Sequence, residues 1–566
     1  MQKIWDIRKH DRTAAAALAN ELGVHPLTAA LLISRGRDTA EKASRFLSPS
    51  SADLHDPSLL LGMEGAVERV LQAREAGEKV LIWGDYDVDG TTGTVVLRKT
   101  LEILGIESEY HIPNRFTEGY GVNIPALEAA KDRGCSLVIT VDCGSRSFEP
   151  IEWAREHGVD VIVTDHHLSD EVRGNPNANC VVNPNQAGCD YPDKSLAGVG
   201  VAYKLSEALL RRCGQERLTP SFLKIAAIGT VADMMDLSGE NRAIVALGLR
   251  DLGKTANYGL KALMEVSDCR SDMTSYHIGF RIAPRINAAG RMDIARHVVE
   301  LFESKDFNEA RRLAKVLDDR NRERQQIQAR ITELALTEAA DSGDKMFVVV
   351  AGEGWHRGVI GLAASRLAEK LCRPVVVFSI ENGVAHGSGR SRPGFHLVDA
   401  LGSCADQFDQ FGGHAAAAGM TIASDRIPQV AELLDAHART CLTPDDLIPR
   451  LQIDARVSSS SMNLGLLDEL SKLEPFGIGN PKPIFVTEGL RLRFDPTVMK
   501  EKHLKLYLED ANGRRFEAVW WDGVEKGKGR TLRPGAGIEL AYTPEANTWQ
   551  GNTRLQLVVE DLKEHN

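Results

Sequence analysis

Three short runs between residues 79 and 164 are almost wholly apolar and rich in β-branched side chains: Lys79–Trp83 (KVLIW), 136–141 (SLVITV) and 159–164 (VDVIVT). Runs without polar alternation are what strands buried on both faces require. Each is followed at once by acidic or His residues and then by a helical stretch, so residues from about 78 to 236 predict a doubly wound parallel sheet. Further on, Phe307–Ala340 predicts one long helix, roughly 50 Å at 1.5 Å per residue. Its middle, 318–326, has no apolar residue, and polarity all round predicts a solvent-bridging connector. A second, smaller α/β unit opens at Lys345 (KMFVVVAGEGW) and runs to about residue 445, with Gly-rich turns expected at 387–392 and 411–419. Beyond about residue 450 the pattern alternates, in 504–508 (LKLYL), 516–521 (FEAVWW), 537–542 (GIELAY) and 555–559 (LQLVV). Five or so short strands there predict a small β-barrel of the oligonucleotide-binding type. Residues 1–60 read as helical and as a brace for the core.

Composition narrows the class. The 566 residues are enough for three or four domains, each with its own core. With 43% hydrophobic and 26% charged residues the chain is globular rather than disordered or fibrous. Nine cysteines, an odd number with no Cys-x-x-Cys pair, fit reduced thiols better than a disulfide or zinc framework. No apolar run approaches the ~20 residues of a membrane span. Charges interrupt the first residues, so a cytoplasmic address is expected. A net charge of −11 argues against coating nucleic acid by bulk charge. The connector is a local exception, with seven Lys or Arg against three Asp or Glu between residues 311 and 330.

An acidic balance can also reflect carboxylates gathered to hold metal, so the positions of the aspartates matter. Gly84-Asp85-Tyr86-Asp87-Val88-Asp89-Gly90 follows the first strand and places three carboxylates at alternate positions. A calcium loop of the EF-hand type is excluded, because its twelfth position would be Val96 and the preceding element is a strand. Val141-Asp142-Cys143-Gly144 follows the second strand and Thr164-Asp165-His166-His167 the third. Three successive strand ends delivering Asp, Asp and His to one face describe a metal centre. Gly229-Thr230-Val231-Ala232-Asp233 offers a fourth member, with an ordinary helix-terminal Asp as the competing explanation. Mixed Asp and His ligands favour manganese or another divalent transition metal over calcium, and four or more carboxylates can hold two ions. Two ions roughly 4 Å apart are the usual apparatus for in-line phosphoester hydrolysis.

The ordered set GDYDVDG, VDCG, TDHH and GTVAD resembles the DHH phosphoesterase superfamily. Over nearly the whole chain the arrangement is similar to its bacterial branch of single-strand-specific 5′ to 3′ DNA exonucleases. The resemblance implies a DHH parallel-sheet domain (61–305), a connecting helix (306–342), a smaller α/β DHH-associated domain (343–447) and an OB-fold domain (448–566), after an N-terminal helical segment (1–60). It places metal ligands at Asp85, Asp87, Asp89, Asp142, His166 and Asp233, with His167 contacting substrate phosphate or tuning the ligands, and two Mn²⁺ or Mg²⁺ ions as cofactors. The segment Arg281-Ile282-Ala283-Pro284-Arg285-Ile286-Asn287-Ala288-Ala289-Gly290-Arg291 matches the exonuclease branch, and Arg285 and Arg291 there, with Arg115, are suited to backbone phosphates. Ser388, Arg390 and His414 in two Gly-rich motifs of the associated domain are suited to the strand's 5′ end. Tyr507, Trp520 and Trp521 are candidate base-stackers on the barrel, although alternation turns one of the two Trp residues inward. The implied function is release of 5′ mononucleotides from single-stranded DNA in recombination and repair. A cleft that admits only single strands, a monomer associated with the nucleoid, and a single-strand-binding protein and a RecQ-type or RecBCD-type helicase as partners are implied likewise. Two alternatives are a DHH phosphodiesterase of short oligoribonucleotides or cyclic dinucleotides, and a non-catalytic DHH-like replication scaffold. The basic connector and barrel weigh against the first, and the uneroded acidic motifs against the second.

Overall fold

The computed structural model describes residues 3–269, 272–292, 295–340, 343–527, 532–549 and 551–565. The chain packs into two units. The first comprises residues 5–283, 302–307 and 451–566, and the second residues 284–301 and 308–450 with the extreme N-terminus.

In the first unit, strands β1 (Lys79–Trp83), β2 (Ser108–His111), β3 (Cys135–Val141), β4 (Asp160–Thr164) and β5 (Cys180–Val182) form a parallel sheet in the order β2-β1-β3-β4-β5. The apolar run Val80 to Trp83 is fully buried, as its lack of alternation predicts. Winding reverses between β1 and β3, and sheets of this kind bind ligands outside the carboxyl ends of the strands at that point. Helices α1 (Val88–Leu104), α2 (Gly198–Arg212) and α3 (Leu223–Ala232) pack on one another beside this sheet.

The same unit holds a seven-stranded sheet whose strands Phe485–Leu492 and His503–Glu509 also pair, closing it into a barrel. Two of its strands, Gly537–Trp549 and Asn552–His565, are far longer than the short runs the alternation suggested. The N-terminal segment packs against the C-terminal region. Leu18, Leu31, Leu32, Ala43 and Phe46 share one hydrophobic core with Leu466, Phe485, Leu506, Trp520 and Leu562 of the C-terminal region.

In the second unit, strands β6 (Val348–Glu353), β7 (Val375–Glu381), β8 (Val384–Arg390), β9 (Gln410–Gly413) and β10 (Ala417–Ala423) lie in the order β9-β10-β8-β7-β6. Gly387 and Gly389 therefore belong to a strand and not to a turn. They are glycines because a Cβ at 387 would lie 2.5 Å from the Phe378 ring, and one at 389 would lie 2.8 Å from Leu397. The long helix α4 (Phe307–Ala340) forms as expected, but its polar middle is not wholly in solvent. Asp318 and Asn321 are buried, Asp318 between the guanidinium groups of Arg285 (3.0 Å) and Arg322 (2.8 Å). Pairing lets a charged residue occupy a buried helix face that the apolar pattern cannot reveal.

Cys135, Cys143, Cys180, Cys189, Cys213, Cys372, Cys404 and Cys441 are free thiols. Among the described residues no single helix is long and apolar enough to cross a membrane. Because Leu31 lies in the core shared with the barrel, Leu31→Ala is expected to destabilise the first unit by about 2–5 kcal/mol. Hydrogen-exchange mass spectrometry should show lost protection in the strand His503–Glu509, and a change confined to residues 12–47 would disprove the shared core.

Candidate metal centre

The first motif joins β1 to α1 by a turn that only glycine permits. A Cβ on Gly90 would lie 2.5 Å from the Asp85 backbone nitrogen, so the first turn of α1 folds directly onto the strand end. Asp87 caps α1, its carboxylate accepting the Gly90 N–H at 3.0 Å. Asp89, in the first turn, is buried and accepts the N–H groups of Gly198 (2.6 Å) and Val199 (2.8 Å) at the start of α2. The positive ends of two helices thus meet at one carboxylate. Asp142 follows β3 with φ +60°, in the left-handed region that non-glycine residues seldom enter. Its side chain has room because residue 198 is glycine: a Cβ there would be 2.7 Å from the Asp142 carboxylate. His166 and His167 follow β4, and Asp233 terminates α3.

These side chains converge. Nε2 of His166 lies 3.1 Å from Asp142 Oδ1, 3.7 Å from Asp233 Oδ2 and 3.8 Å from Asp89 Oδ2. Three groups each bring their ligand atoms within 4.8 Å of one another: Asp89, His166 and Asp233; Asp85, Asp87 and Asp142; and Asp142, His166 and His167. Asp85 Oδ1, Asp142 Oδ1 and His166 Nε2 are buried and have no hydrogen-bond partner among the described residues. Leaving one buried polar atom unsatisfied costs about 1–3 kcal/mol, and more when it is charged. A divalent cation satisfies such oxygen and imidazole atoms together, and the donor set fits Mn²⁺ or Mg²⁺.

The electrostatics carry the same signature. Burial, reinforced by neighbouring carboxylates, pushes Asp85, Asp89 and Asp142 well above the usual carboxylate range. Asp233 is pushed up to about 7 by burial and by Asp87. Burial and the adjacent His167 draw His166 down to about 4, which favours neutral imidazole, the form in which a His can ligate a metal. His167 moves the other way. Burial opposes its charge, but the hydrogen bond from its Nδ1 to Asp165 (2.8 Å) and the surrounding carboxylates raise it.

Asp165 was present in the third motif but was not singled out in the sequence. It is buried and held at about 2, since His167 outweighs the cost of burial, and it accepts the Ser145 N–H at 2.9 Å. Asn183 and Asn185 also escaped sequence reasoning. Their amides donate to the carbonyls of His167 (2.8 Å) and His166 (2.6 Å), and nothing in a loop asparagine signals that. The Tyr120 hydroxyl donates to the Asp142 carbonyl (3.1 Å) and lies 3.3 Å from His167 Nδ1.

Of the basic candidates, Arg115 stacks over the Tyr86 ring at 5.1 Å, and its charge acts on Asp85. The others lie in the second unit. Arg285 is engaged with Asp318, and Arg291 donates to the Gly358 carbonyl at 3.1 Å. Ser388 and Arg390 meet, with Arg390 donating to the hydroxyls of Ser388 and Ser365 at 3.1 Å each. His414 is exposed in the β9–β10 hairpin, its N–H on the Ala417 carbonyl at 2.8 Å. On the barrel Trp520 is buried and Trp521 is 49% exposed, which settles which of the pair can meet a ligand. Phe494, 53% exposed beneath the Arg493 guanidinium at 4.9 Å and edge-on to Tyr507, is an aromatic that the loop sequence did not disclose.

These shifts predict a linkage between protons and metal. A carboxyl group whose folded pKa is raised takes up a proton on folding, so the metal-free protein is relieved of repulsion as pH falls from about 7 toward 4. Mn²⁺ relieves the same repulsion above that range. The rise in Tm on adding Mn²⁺ should therefore be largest above pH 7 and shrink steadily as the pH is lowered through this window. Asp142→Asn should raise the metal-free Tm at pH 8 and reduce the metal-dependent rise; a pH-independent rise would disprove the linkage.

Comparison with known proteins agrees with this geometry. Three family models match: the DHH family N-terminal domain over residues 79–230, the DHHA1 domain over 343–440 and the RecJ OB domain over 453–561. The chain is 39% identical over 562 residues to the single-stranded-DNA-specific exonuclease RecJ of Bacillus subtilis, covering 98% of this chain and 70% of that protein. It is 33% identical over 589 residues to the RecJ of Escherichia coli, covering 99% and 100%. A crystal structure of RecJ from Thermus thermophilus in complex with Mn²⁺ superposes with a TM-score of 0.85 at 28% identity, covering 100% of this chain and 80% of that one. The corresponding Mg²⁺ complex gives a TM-score of 0.80. Buried carboxylates and a neutral His at the ends of a parallel sheet, in a chain matched from end to end, have one explanation: the protein belongs to the RecJ family of DHH exonucleases.

Proposed function

We propose that this protein degrades single-stranded DNA from its 5′ end, releasing 5′ mononucleotides, with two divalent ions in its DHH site. The observation that carries this is the set of three buried ligand atoms on Asp85, Asp142 and His166 that find no partner among the described residues, within seven converging Asp and His side chains. Asp89, His166 and Asp233 would hold one ion and Asp85, Asp87 and Asp142 the other. Divalent ions held there supply Lewis acidity to the phosphodiester and acidify water.

The protein's own groups do the rest. The N–H groups of Gly198 and Val199 offset part of the cost of burying Asp89 and fix its orientation. The Asp165 carboxylate fixes the His167 ring through Nδ1 and favours its protonated form, so Nε2 is available as a cationic donor to a phosphate oxygen. Phe494 beneath Arg493, Tyr507 beneath Lys505 and the exposed Trp521 give the barrel the aromatic and basic mixture that suits unstacked bases. That barrel has no purpose in a phosphodiesterase of dinucleotides, and a non-catalytic scaffold would have no need of carboxylates held at the expense of mutual repulsion. Ser388, Arg390 and His414 would receive the terminal 5′ phosphate, and Arg115, Arg285 and Arg291 the backbone. The protein would act in the cytoplasm as a monomer, in recombination and repair, on strands opened by a helicase and covered by a single-strand-binding protein.

With Mn²⁺ and a 5′-labelled single strand, the label should appear at once as mononucleotide, whereas a 3′ label should stay in long products. Asp142→Ala should lower the rate more than about a hundredfold, since even groups that only orient metal ligands cost 10–100-fold. Early release of a 3′ label, or consumption of RNA dinucleotides with DNA left intact, would overturn the assignment. Trp521→Ala should weaken single-strand binding by about 1–3 kcal/mol, measured by fluorescence anisotropy in chelator. Unchanged affinity would remove Trp521 from the binding face.

A further inference from the structure

Asp233 is held differently from Asp87 and Asp89. Asp89 is bound by two backbone N–H groups and Asp87 by one, but among the described residues no hydrogen-bond donor holds the Asp233 carboxylate. Its side chain is also the most exposed of those around His166 Nε2, at 26% against 0% for Asp89 and 3% for Asp142. A carboxylate without donors goes where its backbone puts it. Asp233 ends α3, the next residue, Met234, lies in the left-handed region at φ +59°, and the chain then runs through Asp236 and Leu237 to the helix Gly239–Leu252.

The far side of that loop rests on the segment that leads into the barrel strand Phe485–Leu492. The Leu237 N–H donates to the Ile478 carbonyl at 2.8 Å. Gly477 and Asn480 pair their backbones in a tight turn there, and the Asn480 amide closes it on the carbonyls of Leu473 (2.7 Å) and Pro475 (2.8 Å). Two glycines make the approach possible. A Cβ on Gly477 would lie 2.6 Å from Leu237 Cδ1, and one on Gly479, at φ +73°, would lie 2.0 Å from Asp236 Oδ1. The start of the next helix is tied to the same segment. The buried Arg242 guanidinium donates to the Glu474 carbonyl at 2.7 Å and the Pro475 carbonyl at 3.3 Å. Asn241, also buried, bridges the carbonyls of Asp236 and Ser195 from one amide nitrogen, and Ser195 begins the stretch whose Gly198 and Val199 hold Asp89.

We infer that the turn Gly477-Ile478-Gly479-Asn480, which lies between the first two strands of the seven-stranded sheet, is a positioning element for the metal centre. It seats the Asp236–Leu237 end of the loop and so sets Asp233 opposite His166. The inference rests on Asp233 being a metal ligand. It gives the C-terminal region a second role, distinct from holding DNA, and explains why glycine is needed at 477 and 479 so far in sequence from the site.

The test compares full-length wild type, Gly477→Ala, Gly479→Ala and Asp142→Ala. Binding of Mn²⁺ alone is followed by the EPR signal of the free ion, and binding of a single strand by anisotropy in chelator. Gly477 meets a flexible leucine end and Gly479 a carboxylate at a strained backbone, so the effects should be graded. Mn²⁺ half-saturation is expected to rise several-fold in Gly477→Ala and about 10–100-fold in Gly479→Ala, the range for groups that orient ligands. Single-strand affinity should stay within about twofold of wild type, because the barrel face is untouched. Should Gly479→Ala not fold, Gly477→Ala decides alone. Wild-type Mn²⁺ affinity in the folded variants, or equal losses of Mn²⁺ and DNA binding, would overturn the inference. A wild type that binds no Mn²⁺, or binds it as well as Asp142→Ala does, would sink the metal assignment itself and the inference with it.

Discussion

The mutual repulsion of carboxylates buried at the end of one sheet is the constraint on which the first unit turns. Asp85, Asp89 and Asp142 are almost inaccessible, yet each approaches others of the same charge. In water such groups would separate, and in a dry interior at least some would hold protons. The fold counters this with its own dipoles. The starts of α1 and α2 meet at Asp89, a neutral imidazole stands among the carboxylates, and His167 with Asp165 supplies a compensating ion pair at the rim. What those groups leave unbalanced is a deficit of positive charge with ligand atoms already in place, which is the condition for binding a divalent ion strongly.

Such a site can be held only by backbone that cannot relax. Residue 142 remains in a left-handed conformation, and Gly90 and Gly198 let main chain and carboxylate approach within distances that any side chain would block. Around the loop that carries Asp233, rigidity comes from farther away, through the turn at 477–480 and the buried Arg242. The N-terminal helices belong to the same scheme: their leucines complete the core beneath the barrel, and the Phe46 carbonyl accepts from Arg242. The two ends of the chain thus stabilise the region beside the catalytic motifs.

In the second unit the polar helix and the Gly-rich strands show the same economy. A buried aspartate between two guanidinium groups takes the place of an apolar contact, and in β8 Gly387 admits the Phe378 ring and Gly389 the Leu397 side chain. Ser388 and Arg390 stand together there because alternate residues of a strand share one face.

Much of this was legible beforehand. The continuous apolar runs determined the parallel sheet, because a strand buried on both faces tolerates no polar alternation, and the motifs at their ends determined which carboxylates and histidines would share one face. Alternation also determined that only one of Trp520 and Trp521 could face a ligand. Tertiary structure alone decided the rest. It made Asp318 a buried ion-pair partner, turned a glycine run into a strand, enlisted Asp165, Asn183 and Asn185 as supports for the two histidines, and seated Leu237, in the loop after Asp233, on a turn more than two hundred residues away in the chain. The division has a physical cause. Periodicity records which face of an element avoids water, a local property of the chain, whereas charge pairing, backbone approach at glycine and anchoring by distant carbonyls exist only between segments that folding has brought together.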